Sequence, residues 1–314
     1  MLVAMFVFWG RELSINGRGS IGDFTAIAGA VAAAVAFAAA RLRHRDDDGV
    51  GRYRWFDLVA LSLAHGAIAL LAWIGIATVL NSAFQDATVF ASPAVVLAGA
   101  GAAVSSYLSY LSGSNLSPRQ LSVVLAVFLV FGMLAAMLSA NDPHWWEMNL
   151  SALGMSRGIS ALAFNLTLIV SGVIVTTIAR LGTATLPAGS PGERRRRTIV
   201  RVVFVLLGVL LALVGVFPVD RFLLIHNVVA TGMTVVFAVL VIGLPWLVPT
   251  MPRAFVVLGY VYVVAVVGLA LLFALGIYNL TAVELIASLL IFSWIILFLR
   301  FVAPRSKSGA QADV

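Results

Sequence analysis

Nine runs of mostly apolar residues follow one another along this 314-residue chain, separated by short polar gaps. They lie near 22–40, 56–80, 91–111, 121–139, 159–180, 199–217, 226–247, 254–277 and 282–300. A helix needs roughly 20 such residues to cross about 30 Å of hydrocarbon, and each run meets or approaches that length. With 62% hydrophobic and 11% charged residues, the chain has too little polar surface to cover a water-soluble globule of its size. The expected fold class is all-α, a polytopic integral membrane helical bundle of about nine transmembrane helices.

The basic residues fall on alternate gaps. One side collects Arg41, Arg43, Arg45, Arg52, Arg54, Arg119, Arg180, Arg194 to Arg197, Arg201, Arg253, Arg300, Arg305 and Lys307, which is 16 of the 20 Lys and Arg. The other side holds Arg11, Arg18, Arg157 and Arg221. Lys and Arg accumulate in cytoplasmic loops, so the richer side is expected to be cytoplasmic, with the C-terminus inside and the protein in the cell (plasma) membrane. Met1 to Trp9 is apolar but too short to cross. It is expected either as a short interfacial segment or as the remnant of a further span, which would give ten. No basic leader and no small-residue cleavage site mark it as a signal peptide.

The same distribution accounts for the net charge of +7 without nucleic acid, because the cations flank membrane spans. There is no cysteine, which excludes disulfides, thiol nucleophiles and iron–sulfur ligation. GxxxxGK[ST] does not occur, and Gly17-Arg18-Gly19-Ser20-Ile21-Gly22, which fits GxGxxG, opens an apolar span and not a βαβ unit, so nucleotide hydrolysis and dinucleotide binding have no support. No cofactor and no metal site is expected, since the histidines lack any metal-motif spacing. The Arg-rich, Ala- and Val-rich composition suggests a GC-rich bacterial genome.

Two gaps on the basic side are longer, 41–55 and 181–198. The second reads as a flexible linker closed by a basic clamp, Arg194 to Arg197, at the membrane surface. Its functions would be topological anchoring or recognition of anionic lipid. Ala26, Ala30, Ala34 and Ala38 form a smooth face on the first span, and Gly99, Gly101, Gly208 and Gly215 read likewise as sites of close helix packing. No internal repeat indicates an inverted-repeat transporter.

Ionisable residues near spans are costly and invite a functional reading. Most lie on the side poorer in Lys and Arg. The gap after the fourth span brings Asp142, His144, Glu147 and Asn149 together with Trp145 and Trp146, whose rings suit the headgroup level. The gap after the sixth span places Asp220, Arg221, His226 and Asn227 within eight residues, a set able to cradle a phosphate, act in acid–base chemistry, or cap a helix and cross-link hairpins. Glu284 opens the ninth span on the same side, preceded by Asn279. Asn165 lies two turns into the fifth span. His65, inside the second span beside Gly66, reads as a hydrogen-bonded packing residue. With no GxSxG elbow and no Ser and His close along the chain, a serine hydrolase has little support.

The runs Asn149-Leu-Ser-Ala-Leu-Gly, Ala163-Phe-Asn-Leu-Thr-Leu-Ile-Val-Ser-Gly-Val, Gly215-Val-Phe-Pro-Val-Asp and Ile225-His-Asn-Val-Val-Ala resemble a bacterial six-span membrane family of unknown function related to the eukaryotic DRAM, Frag and Sfk proteins. The resemblance covers roughly 120–302 and marks Ser151, Gly154, Phe164, Asn165, Gly172, Gly215, Phe217, Pro218, Asp220, His226, Asn227 and Ala230 as family pattern. The expected organisation has three parts: an N-terminal membrane region, 1–120, of three spans plus the short apolar segment, outside the resemblance; a six-span family-like domain, 121–302; and a disordered cytoplasmic tail, 303–314. The eukaryotic relatives turn the expectation toward lipids.

The leading expectation is a lipid-binding or lipid-organising protein with no enzymatic activity. Its candidate ligand-binding cluster comprises Asp220, Arg221, His226, Asn227, His144, Glu147, Asn149 and Glu284. A structural or partner-binding subunit, a small-molecule transporter with His65 and Asn165 at its midplane, and an intramembrane lipid-modifying enzyme are the alternatives. Membrane lipids are the expected partners, together with a second copy or another membrane protein.

Overall fold

A computed structural model describes residues 1–44, 55–114, 117–155, 158–184 and 186–302. Among them are ten α-helices: α1 Leu2–Phe8, α2 Ile21–Arg43, α3 Trp55–Ala83, α4 Ala91–Ser114, α5 Pro118–Leu138, α6 Ile159–Thr183, α7 Pro191–Val216, α8 Leu223–Leu247, α9 Arg253–Ala274 and α10 Leu280–Val302. The nine from α2 onward are long and apolar enough to cross a membrane. Arg45, Arg52, Arg54, Arg157, Arg305 and Lys307, and the tail assigned to 303–314, lie outside the described residues.

The helices begin where side chains can satisfy the amides that have no carbonyl partner in a first turn. Ser20 accepts from Asp23 N–H (3.1 Å) to open α2, and Ser117 accepts from Gln120 N–H (3.2 Å) to open α5. At α7 the cap is reciprocal: Ser190 Oγ accepts from Glu193 N–H (3.2 Å), while Glu193 Oε2 accepts from Ser190 N–H (3.0 Å). This corrects the expected linker. Ser190-Pro-Gly-Glu193 is a capping box with proline at the first helical position, so α7 starts eight residues before the expected apolar run and Arg194 to Arg197 stand on its first turns.

The short apolar segment becomes α1 and packs on α4, with Ala4 and Phe8 fully buried and the Phe8 ring edge-on to Phe24. After α1, residues Glu12–Ser14 (β1) pair antiparallel with Thr88–Phe90 (β2). This ribbon was not expected from the sequence. It ties the start of the chain to the α3–α4 turn.

Close packing follows the small residues. The Ala30 and Ala34 face of α2 meets Gly66 of α3, and Gly113 of α4 lies against Ala40 and Phe37. Between α6 and α7 a methyl group added at Gly172 would run into the Gly208 backbone, and one at Gly208 into Gly172 and Thr176. Gly215 is pressed in the same way on the Asn165 carbonyl. At Gly99 and Gly101 the neighbours are Met1, and Thr25 with Trp73.

One core runs through most of the bundle. Phe37, Leu61 and Leu71 from α2 and α3 join Leu121, Phe128, Ile174, Ile178, Phe204, Phe237, Trp294 and Phe298. Trp294 stacks between Phe255 and Phe298, with ring centroids 5.2 and 5.5 Å apart. Polar side chains inside the spans are largely satisfied locally, as buried groups must be. His65 contacts the Leu61 carbonyl (2.8 Å) and Ser112 Oγ (2.9 Å) and stacks on Phe37, and Trp73 Nε1 donates to Ser105 Oγ (2.9 Å). Facing outward are apolar side chains such as Ile27, Val31 and Val35 on α2 and Val257, Val261 and Val264 on α9. Exposed tryptophans mark both ends, Trp9 and Trp146 at one and Trp55 and Trp246 at the other, as amphipathic rings do at membrane–water boundaries. The chain is a multi-pass integral membrane protein.

Candidate functional site

Four connections meet at the end of the bundle that carries the α5–α6 segment: α5–α6, α7–α8, α9–α10 and the β1–β2 ribbon. The α5–α6 segment folds as two successive 3₁₀ turns, Trp145–Glu147 and Leu150–Gly154. Asp142 Oδ1 starts the first by accepting from His144 N–H (2.8 Å). The second has no cap of its own on Asn149, and α10 supplies one. Glu284 Oε2 accepts from Leu150 N–H at 2.6 Å, and the Ser151 amide lies near enough to favour the charge on the same carboxylate. A negative charge set against free amides at a helical start is favourable on both hydrogen-bonding and dipole grounds.

The α7–α8 turn is closed by the Pro218 carbonyl, which accepts from Arg221 N–H (3.2 Å) and Phe222 N–H (3.0 Å). His226, on the first turn of α8, is 3% exposed. Its Nδ1 lies 2.7 Å from the Phe217 carbonyl and its Nε2 lies 2.9 Å from Ser151 Oγ. A carbonyl can only accept, so Nδ1 carries a proton and, in the neutral ring, Nε2 accepts from the Ser151 hydroxyl. One imidazole thus fastens the end of α7, the start of α8 and the second 3₁₀ turn to one another. Asn165 Nδ2 adds a bond to the Gly154 carbonyl (3.1 Å) and Ser160 Oγ one to the Leu153 carbonyl (3.1 Å). Asn279 Nδ2 donates to the Trp146 carbonyl (3.2 Å).

The eight candidate residues therefore separate into two groups. His226 and Glu284 point inward onto Ser151 and Leu150, and the partly buried Asn149 keeps Oδ1 without a hydrogen bond among the described residues. The rest face out. His144 Nδ1 and Glu147 Oε1 pair at 2.9 Å on the surface, Arg221 Nε lies 3.9 Å from Asp220, and Asn227, next to the buried His226 on α8, is exposed. Among the described residues no three His, Asp or Glu side chains come together as a metal would need.

The fold also creates a Ser and His contact that chain spacing did not reveal, because Ser151 and His226 are 75 residues apart. A serine bonded to an imidazole is the start of nucleophilic activation. Here, though, both partners are buried and the nearby Leu150 amide, which would have to help stabilise an oxyanion, is taken by Glu284. The arrangement is a staple.

Beside this staple lies a cavity of about 260 Å³ between the α5–α6 segment and the α7–α8 turn. Asp142, Asp220, Asn141 and Ser160 supply its polar wall, and Trp145, Met148 and Met155 an apolar one. Asp142, Trp145 and Asp220 were within the polar loops singled out in the sequence; Ser160 was not, and its position at the start of an apolar run gave no signal.

A bundle of long apolar helices whose carboxylates and cations gather at the ends is a multi-pass integral membrane protein. The chain belongs to the family described as a protein of unknown function, DUF998, whose model matches residues 122–300, from the first turns of α5 to the last turn of α10. No curated protein and no solved structure matches the chain.

Proposed function

We propose that the protein binds a membrane lipid by its headgroup in the cavity between the α5–α6 segment and the α7–α8 turn, and that it does so without chemical transformation. The observation that carries this reading is the composition of the cavity wall: two carboxylates, Asp142 and Asp220, face an indole, Trp145, while Arg221 sits just outside beside Asp220. A primary or quaternary ammonium is held by carboxylates and by an aromatic face, and a phosphodiester by a guanidinium. A zwitterionic phospholipid presents both groups a few bonds apart. The exposed apolar flanks of the helices would take its acyl chains, and the excess of Lys and Arg at the opposite end supports an outer position for this one. The resemblance to the DRAM, Frag and Sfk proteins favours lipid in the same sense.

In this reading His226, Glu284 and Asn149 shape the cavity and do not touch the lipid, whereas His144, Glu147 and Asn227 form its exposed rim. A second reading, in which the whole cluster serves only to hold the bundle together, is favoured by the complete internal use of the His226 ring.

Native mass spectrometry of the purified protein with phosphatidylethanolamine, phosphatidylcholine and phosphatidylglycerol separates the two. The wild type should retain an amine-headgroup lipid in preference to phosphatidylglycerol, and Asp220→Asn with Arg221→Gln should remove that preference while the protein stays folded. Equal retention of all three lipids by wild type and variant would leave only the structural reading.

A further inference from the structure

At the opposite end of the bundle, where α6 connects to α7, the cations are not equivalent. Arg194 Nη1 donates to the Ala188 and Gly189 carbonyls (3.3 and 3.4 Å), Arg201 Nε donates to Thr183 Oγ1 (3.0 Å), and Arg180 forms a two-pronged ion pair with Asp57. Arg196 and Arg197 are half-buried yet have no hydrogen bond or ion pair among the described residues. Both line a cavity of about 240 Å³ formed by the end of the α6–α7 connection, the second turn of α7 and the α8–α9 turn. Its remaining wall is Leu186, Pro187, Leu247, Val248 and Pro249, with the Thr250 hydroxyl and the Glu193 carboxylate at the edge. Glu193 is the one acid on that wall, and it is committed to the Ser190 amide at the start of its own helix. Half-burying two guanidinium groups on one wall costs free energy through desolvation and mutual repulsion; the charge of Glu193 offsets part of this at Arg196, and no described residue supplies either guanidinium with a hydrogen-bond acceptor.

We propose that Arg196 and Arg197 form a binding site for a phosphate group carrying an apolar substituent, supplied by an anionic phospholipid of the adjoining leaflet. Planar guanidinium forks match the oxygens of a phosphodiester, and the one carboxylate on this wall accepts from the Ser190 amide. The proline and leucine walls receive the glycerol end of the lipid, and exposed Trp246, next to Leu247, sets the cavity at the depth of the headgroups. The charge at this site therefore does more than orient the chain in the membrane. The site stands apart from the headgroup cavity at the other end and shares no residue with it, so either can fail alone.

The test titrates the full-length protein, in detergent and read by native mass spectrometry, with phosphatidylglycerol, with phosphatidylcholine, and with phosphatidylglycerol in the presence of inorganic phosphate. Arg196→Gln with Arg197→Gln should weaken phosphatidylglycerol binding by about tenfold or more, the loss of two charge-assisted hydrogen-bonding groups. Arg43→Gln with Arg195→Gln, which removes the same charge from exposed positions at this end, should leave it unchanged. Thr250→Trp, which fills the cavity and keeps both arginines, should weaken it as well. Competition by millimolar inorganic phosphate would keep the phosphate site but assign it to a soluble ligand. Equal weakening by the two double variants, or undiminished binding by both the Arg196/Arg197 variant and Thr250→Trp, would overturn the proposal.

Discussion

Two side chains, His226 and Glu284, define how this protein uses polarity inside a membrane. Each is positioned by a helix whose buried face is otherwise mostly apolar, and each reaches the second 3₁₀ turn of the α5–α6 segment. Leaving a buried acceptor without a donor costs about 1–3 kcal/mol, so His226→Ala, which strands both the Phe217 carbonyl and the Ser151 hydroxyl, should destabilise the protein by roughly 2–4 kcal/mol. Ser151→Ala removes one bond of the same staple and should cost about 1 kcal/mol; unfolding in graded denaturing detergent, followed by circular dichroism, measures both. The burial of Ser151 and the commitment of the neighbouring Leu150 amide also predict that a fluorophosphonate probe leaves Ser151 unlabelled in the folded protein. Labelling at Ser151, detected by peptide mass spectrometry, would replace the staple with a nucleophile.

Helix packing depends on where the chain can bring two backbones together. Gly172 and Gly208 let α6 and α7 approach until each carbonyl fills the place of the other's missing methyl group. Gly172→Val should therefore force the helices apart and cost several kcal/mol, by the overpacking mechanism, with loss of monodisperse protein on size-exclusion chromatography. Gly232, in the middle of α8, has open space where its methyl would go. There the substitution to Ala should be neutral or stabilise by up to about 1 kcal/mol, because alanine is the better helix former. The apolar runs alone gave both glycines the same appearance. The start of α7 belongs to this scale too: the serine, proline and glutamate of its capping box were legible in the sequence, but the apolar run concealed them by beginning eight residues later.

The whole molecule is joined across its length by contacts that no local pattern announces. Asp57, at the first turn of α3, receives two hydrogen bonds from Arg180 at the last turns of α6 (3.0 and 2.8 Å), which fastens the N-terminal helices to the part of the chain matched by the family. The carboxylate is buried and the guanidinium one-third exposed. Asp57→Asn should cost about 1–3 kcal/mol, less than a fully buried pair would, and the Asp57→Leu, Arg180→Leu double variant should recover part of that loss. Orientation is testable at the same scale because the native chain contains no cysteine. A membrane-impermeant maleimide applied to intact cells should label His144→Cys, and should label Arg195→Cys only after the membrane is opened.

The sequence by itself determined the class of the protein, the number of long helices and the closeness of several helix pairs, because a bilayer imposes length and hydrophobicity on each span independently of the others. The reading of His65 as a hydrogen-bonded packing residue agrees with its contacts to the Leu61 carbonyl and Ser112, although the sequence had also left it open as a midplane site. Tertiary structure alone decided which members of the polar cluster face inward. His226 meets Ser151, Glu284 meets Leu150 and Asp57 meets Arg180 over separations of 75, 134 and 123 residues. Such meetings depend on the relative rotation and depth of packed helices, quantities set by the interlocking of side chains over the whole bundle, and no single stretch of the chain carries them.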